Sequence, residues 1–139
     1  MEDLPVVADI RREWDWVKPG IEEIVIGQPQ LTYRPEDVYA ACVSGEATLF
    51  VRKGPLGNDF AVTLIEFDKY SGEKVMIMWL AKIEQRGKKQ AIRLMEFFDQ
   101  VGRDCGCSYI EGKTPLEPLG EYYLKNGWEL NTKVYTRKL

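Results

Sequence analysis

Two segments near the middle of the chain are apolar at nearly every position. They are residues 60–67 (FAVTLIEF) and residues 74–81 (KVMIMWLA), joined by a short Gly-containing connection at 69–72. Apolar runs of this kind, bounded by turn residues, are typical of strands, and apolarity on nearly every position favours a sheet covered on both faces. We therefore predict adjacent antiparallel strands in a central sheet, and we expect these two strands to splay near Ala81 to admit a ligand.

Helical patterns occur on both sides of these strands. Residues 90–104 form the clearest predicted helix, with Gly106 just past its end, where a left-handed residue is common. Its apolar stripe consists of Ala91, Leu94, Met95, Phe98 and Val101. In the first 45 residues we predict one helix at 11–25, interrupted at residues 18–20 (KPG), and a second that has Pro35 in its first turn and Gly45 as its end.

The remaining segments complete the predicted order of elements. They are a strand at 47–53, a short strand at 108–111, a short helix at 119–125, and extended segments at 128–131 and 134–137. Three antiparallel strands followed by a strand–helix–strand crossover give a mixed sheet. The predicted fold class is α+β, in three layers: a mixed, mostly antiparallel central sheet with helices on both faces, in a single domain that spans residues 1–139.

Composition narrows the classes of function. The chain has 139 residues and a net charge of −3, which argues against a general nucleic-acid binder. No apolar run approaches the roughly 20 residues that span a bilayer, and the first residues lack a signal-peptide pattern, so we expect a cytoplasmic protein with no membrane partner. The sequence contains no histidine, which excludes Ser-His-Asp and Cys-His catalysis and histidine metal sites. We expect no metal, and we expect Cys42, Cys105 and Cys107 to be reduced structural thiols.

One basic cluster stands out in this acidic chain. Arg86, Lys88 and Lys89 lie where the second central strand ends and the long helix begins. The free N–H groups and the dipole at a helix N-terminus favour an anion, so a strand, a Gly-containing loop and a helix start form a candidate phosphate site. The alternative is a solvated basic loop without a ligand.

The segment RGKKQA resembles the pyrophosphate loop of the GNAT acyltransferases, Q/R-x-x-G-x-G/A. Arg86 takes the first position and Ala91 the last, while Lys89 stands where the family has its middle glycine. The resemblance implies a fold that binds acetyl-CoA as co-substrate, with the pyrophosphate on this loop and the pantetheine arm along the preceding strand. The implied cofactor-binding residues are Trp79, Leu80, Ala81, Ile83, Arg86, Gly87, Lys88, Lys89, Gln90, Ala91 and Tyr123.

A second motif supports this resemblance. Residues 121–128 (EYYLKNGW) are similar to the family pattern that ends in Y-x-x-x-G-F, and Tyr123 falls on the tyrosine that protonates the departing CoA thiolate in many GNAT enzymes. A core tyrosine on a short amphipathic helix is the alternative, and Tyr122 is the competing general acid. The N-terminal pattern is similar to that of small GNAT-like proteins encoded by tailed bacteriophages.

The general base is harder to assign. Many GNAT enzymes carry a carboxylate on the fourth strand, but residues 75–82 contain none. Glu66 and Glu111, on the strands before and after, are the nearest candidates; each is otherwise a surface acid, and a water chain is a further alternative.

The resemblance implies acetyl transfer from acetyl-CoA to a primary amine. The acceptor stays open among a lysine or the N-terminus of a host protein, a polyamine and an antibiotic-like amine, and the assembly is a monomer or a homodimer. The alternative function is a catalytically degenerate GNAT-fold phage protein that acts as a binding or virion module.

Overall fold

The computed structural model describes residues 4–28, 32–55, 57–83, 88–112, 124–130 and 134–139, with residues 88–91 described by their backbone alone. Its elements in chain order are β1 (Val6–Ala8), α1 (Ile10–Gly27), α2 (Pro35–Ser44), β2 (Ala47–Gly54), β3 (Gly57–Phe67), β4 (Lys74–Lys82), α3 (Lys88–Asp104) and β5 (Tyr109–Gly112). The strands form a sheet in the order β1-β2-β3-β4-β5. Neighbouring strands are antiparallel except β4 and β5, which are parallel.

The two apolar runs at the centre of the sequence form the two middle strands that we predicted. β3 and β4 pair antiparallel from Phe60 opposite Lys82 to Phe67 opposite Lys74. Helices α1 and α2 cover one face of the sheet and α3 covers the other, so the predicted α+β arrangement with helices on both faces is confirmed. Successive residues are buried at 59–63 of β3 and at 76–77 of β4 because both faces are covered there, which explains the continuous apolarity of these stretches, whereas Ile65 and Phe67 at the end of β3 are 38% and 68% exposed.

Each face has its own core. The α1/α2 face is filled by Ile10, Val17, Ile21, Val38, Ala47, Leu49, Val51, Phe60, Val62 and Leu80. The cluster on the α3 face is smaller and more aromatic, and it consists of Phe50, Ala61, Met76 and Phe98. Phe98 packs edge-to-face on Phe50 and on Phe97, with ring centroids 5.3 and 5.1 Å apart. Edge-to-face packing aligns the positive edge of one ring with the negative face of the next.

A buried ion pair lies on the α3 face, where β2 and β3 meet. Arg52 and Asp59 are opposite each other in the β2–β3 ladder. The Nε of Arg52 donates to Oδ2 of Asp59 at 2.8 Å, and the two side chains are only 10% and 3% exposed. Buried charges are tolerated in a protein when they are paired, and Arg52 supplies a partner for the Asp59 carboxylate at this point of the sheet.

The N-terminal helices depart from prediction at one position. α1 runs without a break from Ile10 to Gly27, with Pro19 inside it, so the expected interruption at residues 18–20 is wrong. Proline removes one backbone hydrogen bond from a helix. Here Val17 and Ile21, on either side, are fully buried against the sheet, and this packing holds the helix together. The predicted second helix is confirmed, with Pro35 at its start and Gly45 at its end in the left-handed region.

The two ends of the chain were predicted less well. β1 was not predicted, because a three-residue strand with exposed Val6 and Val7 has no pattern that distinguishes it from a loop. The described residues 128–130 and 134–139 carry no strand, so the extended C-terminal segments are not confirmed as strands there. Val134 and Tyr135 are 80% and 86% exposed, so neither face of that segment is buried. Within the described residues, no helix has the length and apolarity needed to cross a bilayer.

Candidate active site

β4 contains an irregularity at Trp79. Val62 of β3 lies opposite Leu80, but the next residue, Thr63, lies opposite Met78, so Trp79 is an extra residue in the ladder. Such a β-bulge changes the alternation of side chains and increases the local twist. Trp79 and Leu80 are consecutive in sequence, yet both pack into the core on the α1/α2 face.

The bulge reverses the alternation for the rest of the strand. Before it, Met76 and Met78 pack on the α3 face. Without a bulge, Leu80 and Lys82 would continue on that face. Instead, Leu80 lies in the α1/α2 core, and the Nζ of Lys82 donates to Oε2 of Glu23 on α1 at 2.6 Å. We call residues 74–78 the paired half of β4 and residues 79–82 its edge half.

The expected separation of β3 and β4 near Ala81 is wrong. Ala81 pairs with Ala61, and Lys82 with Phe60, so these two strands stay together to the end. The opening lies on the other side of β4. Its ladder with β5 runs only from Val75 to Met78, and the described residues give the edge half no partner on that side. The bulge begins where this described ladder ends.

Among the described residues near this opening, a partly buried aromatic pair lies on the α1/α2 face of the sheet. On the α3 face, Met76 and Phe98 are buried against each other. On the α1/α2 face, Tyr33, from the α1–α2 connection, packs edge-to-face on Trp79 with ring centroids 5.3 Å apart. Burial raises the pKa of the Tyr33 phenol, which therefore stays neutral and able to donate at physiological pH.

The family resemblance implies that Trp79, Leu80, Ala81 and Ile83 line the pantetheine arm. These four residues differ in solvent exposure. Leu80 is buried and contributes to the core, and Trp79 is partly buried against Tyr33. Ala81 is exposed, and Ile83, just past the end of β4, is 44% exposed. Side chains offered to a ligand along the edge half are therefore those of Trp79, Ala81 and Ile83, while Leu80 contributes its backbone.

The two candidate bases lie at different places. Glu111 on β5 is opposite Ile77. Its neighbour Ile110 packs on the α3 face, which places Glu111 on the α1/α2 face beside the start of the opening. Glu66 is opposite Val75, near the far end of β3, and is exposed. At about 3.3 Å per residue, Val75 lies roughly 13 Å along the strand from Trp79, so Glu111 is much nearer the opening than Glu66.

The basic loop is described only in part. Arg86, Gly87 and Tyr123 lie outside the described residues. The backbone of Lys88, Lys89, Gln90 and Ala91 forms the first turn of α3, so the predicted strand and the predicted helix follow each other as expected, while residues 84–87 between them lie outside the described residues. Among the described residues no side-chain-bearing residue has a positive φ. Lys89 is thus helical, and replacing the family's glycine does not strain the backbone at this position.

The three cysteines are free thiols. Burial raises the pKa of the Cys42 thiol to about 11, so Cys42 is protonated and unreactive at neutral pH. Burial also raises the pKa of Cys107. In the described parts of the chain, no group of three or more Cys, Asp or Glu side chains has an arrangement that could hold a metal ion.

The five-stranded, mostly antiparallel sheet, with α1 and α2 on one face and α3 on the other, is the fold of the GNAT acetyltransferases. A ribosomal-protein-alanine N-acetyltransferase from Brucella melitensis shares it with a TM-score of 0.71 and 11% identity, covering 97% of this chain and 99% of that one. A Trypanosoma brucei acetyltransferase gives a TM-score of 0.65 and 15% identity, over 97% and 98% of the two chains.

A third solved structure of the same fold contains a ligand. It is an aminoglycoside N-acetyltransferase in complex with CoA, with a TM-score of 0.64, 16% identity and coverage of 97% of this chain and 98% of that one. No protein-family model matches the sequence, and no curated protein matches it. At these identities the similarity establishes the fold alone.

Sequence analysis missed two features of the site. Tyr33 lies in a connection between helices, where no periodicity singles it out, and only the fold brings it to Trp79. The ion pair between Lys82 and Glu23 joins residues on β4 and α1 that are far apart in the chain. A carboxylate on the predicted buried face of a helix would have indicated a buried partner in the sequence. Glu23 lies on the exposed side of α1, so its position in the sequence did not indicate an ion pair.

Proposed function

We propose that this protein is an N-acetyltransferase that moves the acetyl group of acetyl-CoA to a primary amine. The observation that carries the proposal is the edge half of β4. It is a strand edge that lacks a described partner, it begins at a bulge, and it leads directly to the N-terminus of α3. The fold in which it occurs is the fold of known acetyltransferases.

The residues of this region fit acetyl-CoA. Backbone groups of the edge half can hydrogen-bond the amides of the pantetheine arm, as strand edges do with extended ligands. Exposed Ala81 and Ile83 provide small and apolar contacts along it. Arg86 and the first turn of α3, from Lys88 to Ala91, would hold the pyrophosphate through positive charge and free N–H groups.

The reaction needs no covalent enzyme intermediate. The primary ammonium first loses a proton, and the nitrogen lone pair then attacks the thioester carbonyl carbon. The C–S bond breaks, the nitrogen loses its second proton, and the CoA thiolate takes up one proton to leave as a thiol. The protein holds the two reactants in line and polarises the carbonyl with backbone N–H groups.

Two proton transfers require groups from the chain or from water. Glu111 lies beside the opening and is the better placed of the two candidate bases; from Glu66, a proton would have to travel through intervening water. Tyr123 is the proposed general acid for the thiolate, on the basis of its position in the sequence motif.

Titration calorimetry with coenzyme A tests the cofactor site. Replacing Arg86 and Lys88 together with Ala should weaken binding at least about tenfold, and added salt should weaken binding to the wild type. The matched control replaces Lys69 and Arg103, two exposed basic residues away from the loop, and should bind as the wild type does. Equal affinity in both double variants would reject the placement of the pyrophosphate.

The assignment of Tyr123 as the general acid is tested by substituting each of two neighbouring tyrosines. Tyr123→Phe should lower kcat by at least about tenfold while leaving CoA affinity and thermal stability unchanged, because only the hydroxyl is removed. Tyr122→Phe is the control, since successive helical residues point about 100° apart. A reversal of the two effects would assign the acid to Tyr122.

A second candidate function is a binding or virion module, phage-encoded, that keeps the fold without catalysis. It is favoured by Lys89 at the glycine position of the loop and by the lack of a carboxylate on residues 75–82. An absence of CoA binding at millimolar ligand would favour this module over the enzyme. For the enzyme, we propose a cytoplasmic location and leave a host-protein amine among the acceptors.

A further inference from the structure

We infer that the protein forms a homodimer in which β1 of one copy pairs antiparallel with β1 of a second copy, so that the two sheets become one continuous sheet. The inference does not depend on the proposed acetyltransferase function. It concerns the β1 edge of the sheet, formed by residues 4–8, which β2 and β3 separate from β4.

The backbone of β1 is open on one side. In the described part of the chain β1 pairs with β2, and no described strand pairs with its other side. An edge strand therefore presents a row of N–H and C=O groups on which another strand can form hydrogen bonds. Charged residues within the strand protect many sheet edges from such pairing, but residues 6–8 (VVA) carry no charge.

The side chains of the β1 edge are apolar on both faces of the sheet. Val6 lies opposite Val51 of the α1/α2 core, whereas Val7 lies opposite Phe50, which packs on the α3 face. Val6 and Val7 are nonetheless 61% and 68% exposed, and Leu4 is 47% exposed. A surface groove along this edge is lined by these three residues. A further strand would cover both valines, because it contributes side chains to both faces.

Two ion pairs neutralise charges beside the β1 edge. Arg11 donates from Nε and Nη2 to the carboxylate of Asp9 at 3.0 and 3.1 Å, and Nζ of Lys53 donates to Oε1 of Glu13 at 2.9 Å. Each pair has no net charge. A second copy that carries the same pairs can therefore approach this edge without like-charge repulsion from them.

The order of charges along the sequence favours a second copy as the partner. Glu2 and Asp3 precede the strand, and Arg11 and Arg12 follow it. A two-fold axis at Val7 would bring the acidic start of one copy beside the basic end of the other, at both ends of the pairing. A strand with acids before it and bases after it is its own complement in the antiparallel direction.

The symmetry closes this assembly at two copies. An isologous contact uses the same edge of both copies, so no β1 edge is left for a third. Pro5 has no N–H to donate, which limits the strand pairing to the residues next to 6–8. So short a contact is smaller than a standard interface of roughly 1,200–2,000 Å², and we expect a dissociation constant of about 1–100 μM.

Sedimentation velocity over a concentration series that brackets this range tests the dimer. The wild type should pass from monomer to dimer. Val7→Lys should raise the dissociation constant at least about tenfold, because two lysines would lie opposite each other at the axis. Since Val7 is exposed, the variant should fold, and thermal unfolding checks this.

Val134→Lys is the matched control for Val7→Lys. It changes another exposed valine, 80% exposed, in a described segment that carries no strand, and should associate as the wild type does. A wild type that stays monomeric over the whole series would overturn the inference. Equal dissociation constants for the two variants would overturn it as well.

A charge exchange tests the direction of pairing. Arg12→Glu and Glu2→Arg should each weaken the dimer about threefold, because each places like charges at both ends of the contact. The double variant exchanges the partners and should return to the wild-type dissociation constant. A double variant that shows no recovery would reject the antiparallel pairing of β1 with itself.

Hydrogen exchange identifies the strand that forms the contact. The backbone amides of residues 6–8 should exchange more slowly as the wild-type concentration rises, and this slowing should be absent in Val7→Lys. A wild-type dimer without it would place the interface elsewhere and overturn the inference. Slow exchange of these amides in a protein that sediments as a monomer would also overturn it, since a segment of the same chain would then cover β1.

Coenzyme A binding separates this inference from the proposed function. Val7→Lys and the wild type should bind coenzyme A with equal affinity, because β2 and β3 lie between the β1 edge and β4. A wild type that dimerises as expected but binds no coenzyme A would reject the acetyltransferase and support the dimer.

Discussion

The two halves of β4 share a strand and a neighbour but differ in almost everything else. The paired half is fixed on both sides, by β3 and by β5, and the backbone N–H of Ser108 donates to the carbonyl of Lys74 at its start. Among the described strands, the edge half pairs with β3 alone, and the alternation of its side chains changes at Trp79. One strand thus combines a part that is paired on both sides with the part for which we propose a ligand.

The difference between the two halves arises at the β-bulge, a change of one residue in the pairing of β4 with β3. Up to Met78 the strand obeys simple alternation, with Met76 and Met78 packed on the α3 face. The extra residue, Trp79, ends that alternation. It follows directly after Met78, where the described parallel ladder between β4 and β5 also ends. The core of the α1/α2 face then receives Leu80, while the strand edge is left for another partner.

Deleting Trp79 should have the largest effect on this arrangement. Without the extra residue, Leu80 and Lys82 would move to the α3 face, which removes Leu80 from its core and breaks the ion pair with Glu23. We expect a loss of more than about 4 kcal/mol of stability, enough to unfold many domains. Circular dichroism and thermal unfolding measure this.

Trp79→Phe is the control for that deletion. It keeps the length of the strand and an aromatic ring against Tyr33, so it should cost only about 1–2 kcal/mol. A deletion variant that unfolds at the same temperature as Trp79→Phe would show that the bulge does not determine the fold.

A core truncation should distinguish the halves by stability. Met76→Ala, in the paired half, removes a side chain that is 1% exposed and should cost about 2–5 kcal/mol of unfolding free energy. Ile83→Ala, just past the edge half, should cost less than about 1 kcal/mol, but should weaken CoA binding. Urea unfolding and calorimetry of both variants give the two quantities, and similar stability losses would contradict the division of the strand.

The contact of α1 with β3, opposite the end of the edge half, can be tested at Gly20. A Cβ there would lie 2.6 Å from Cε1 of buried Phe60, so Gly20→Ala should cost about 1 kcal/mol even after the gain in helix propensity. Gly27→Ala, on the same helix with no atom near its Cβ, should be neutral or stabilising. The pair is compared by thermal unfolding, and a stabilised Gly20→Ala would mean that Phe60 can move aside.

The smallest expected effect is a pH dependence at the turn that precedes the paired half. Asp68 Oδ1 accepts the backbone N–H groups of Ser71 and Tyr70 at 2.8 and 2.9 Å, and these bonds hold the pKa of Asp68 below its usual 3.8. Because the folded-state pKa is lowered, the stabilisation is present above the unfolded-state value and is lost as the pH falls through the folded-state pKa.

Asp68→Asn isolates this contribution, since asparagine does not titrate. The stability difference between wild type and variant should be small near pH 6, because the side chain is exposed, and should shrink further near about pH 2.5. Urea unfolding at the two pH values measures it. A difference that does not change with pH would rule out a titrating Asp68 as its source.

The sequence predicted those parts of the fold whose pattern is long and local. The runs at 60–67 and 74–81 are apolar at nearly every position, which predicted strands covered on both faces, and the stripe of α3 repeats with a helical period. The bulge could not be predicted, because KVMIMWLA is apolar on both alternate sets of positions and therefore hides a change of alternation. β1 escaped prediction because three residues are too few to show a period.

The candidate site was predicted in part. The order of strand, basic loop and helix start was visible in the residues, whereas the side of β4 that opens was not, since it depends on the length of β5. The relative positions of Glu66 and Glu111 likewise depend on how the strands are aligned with each other. The spacing of residues within one strand does not predict that alignment. Tyr33 reaches the site only through the packing of two helices on the sheet.

The parallel ladder between β4 and β5 also bears on the order in which the chain folds. β2, β3 and β4 are joined by short connections and can pair as soon as they leave the ribosome. β5 can pair with β4 only after all of α3 has been made and has crossed the sheet. We expect the hairpin strands to form first and the edge half to acquire its final surroundings last, so that a truncated or slowly synthesised chain would hold a stable sheet before it could bind a ligand.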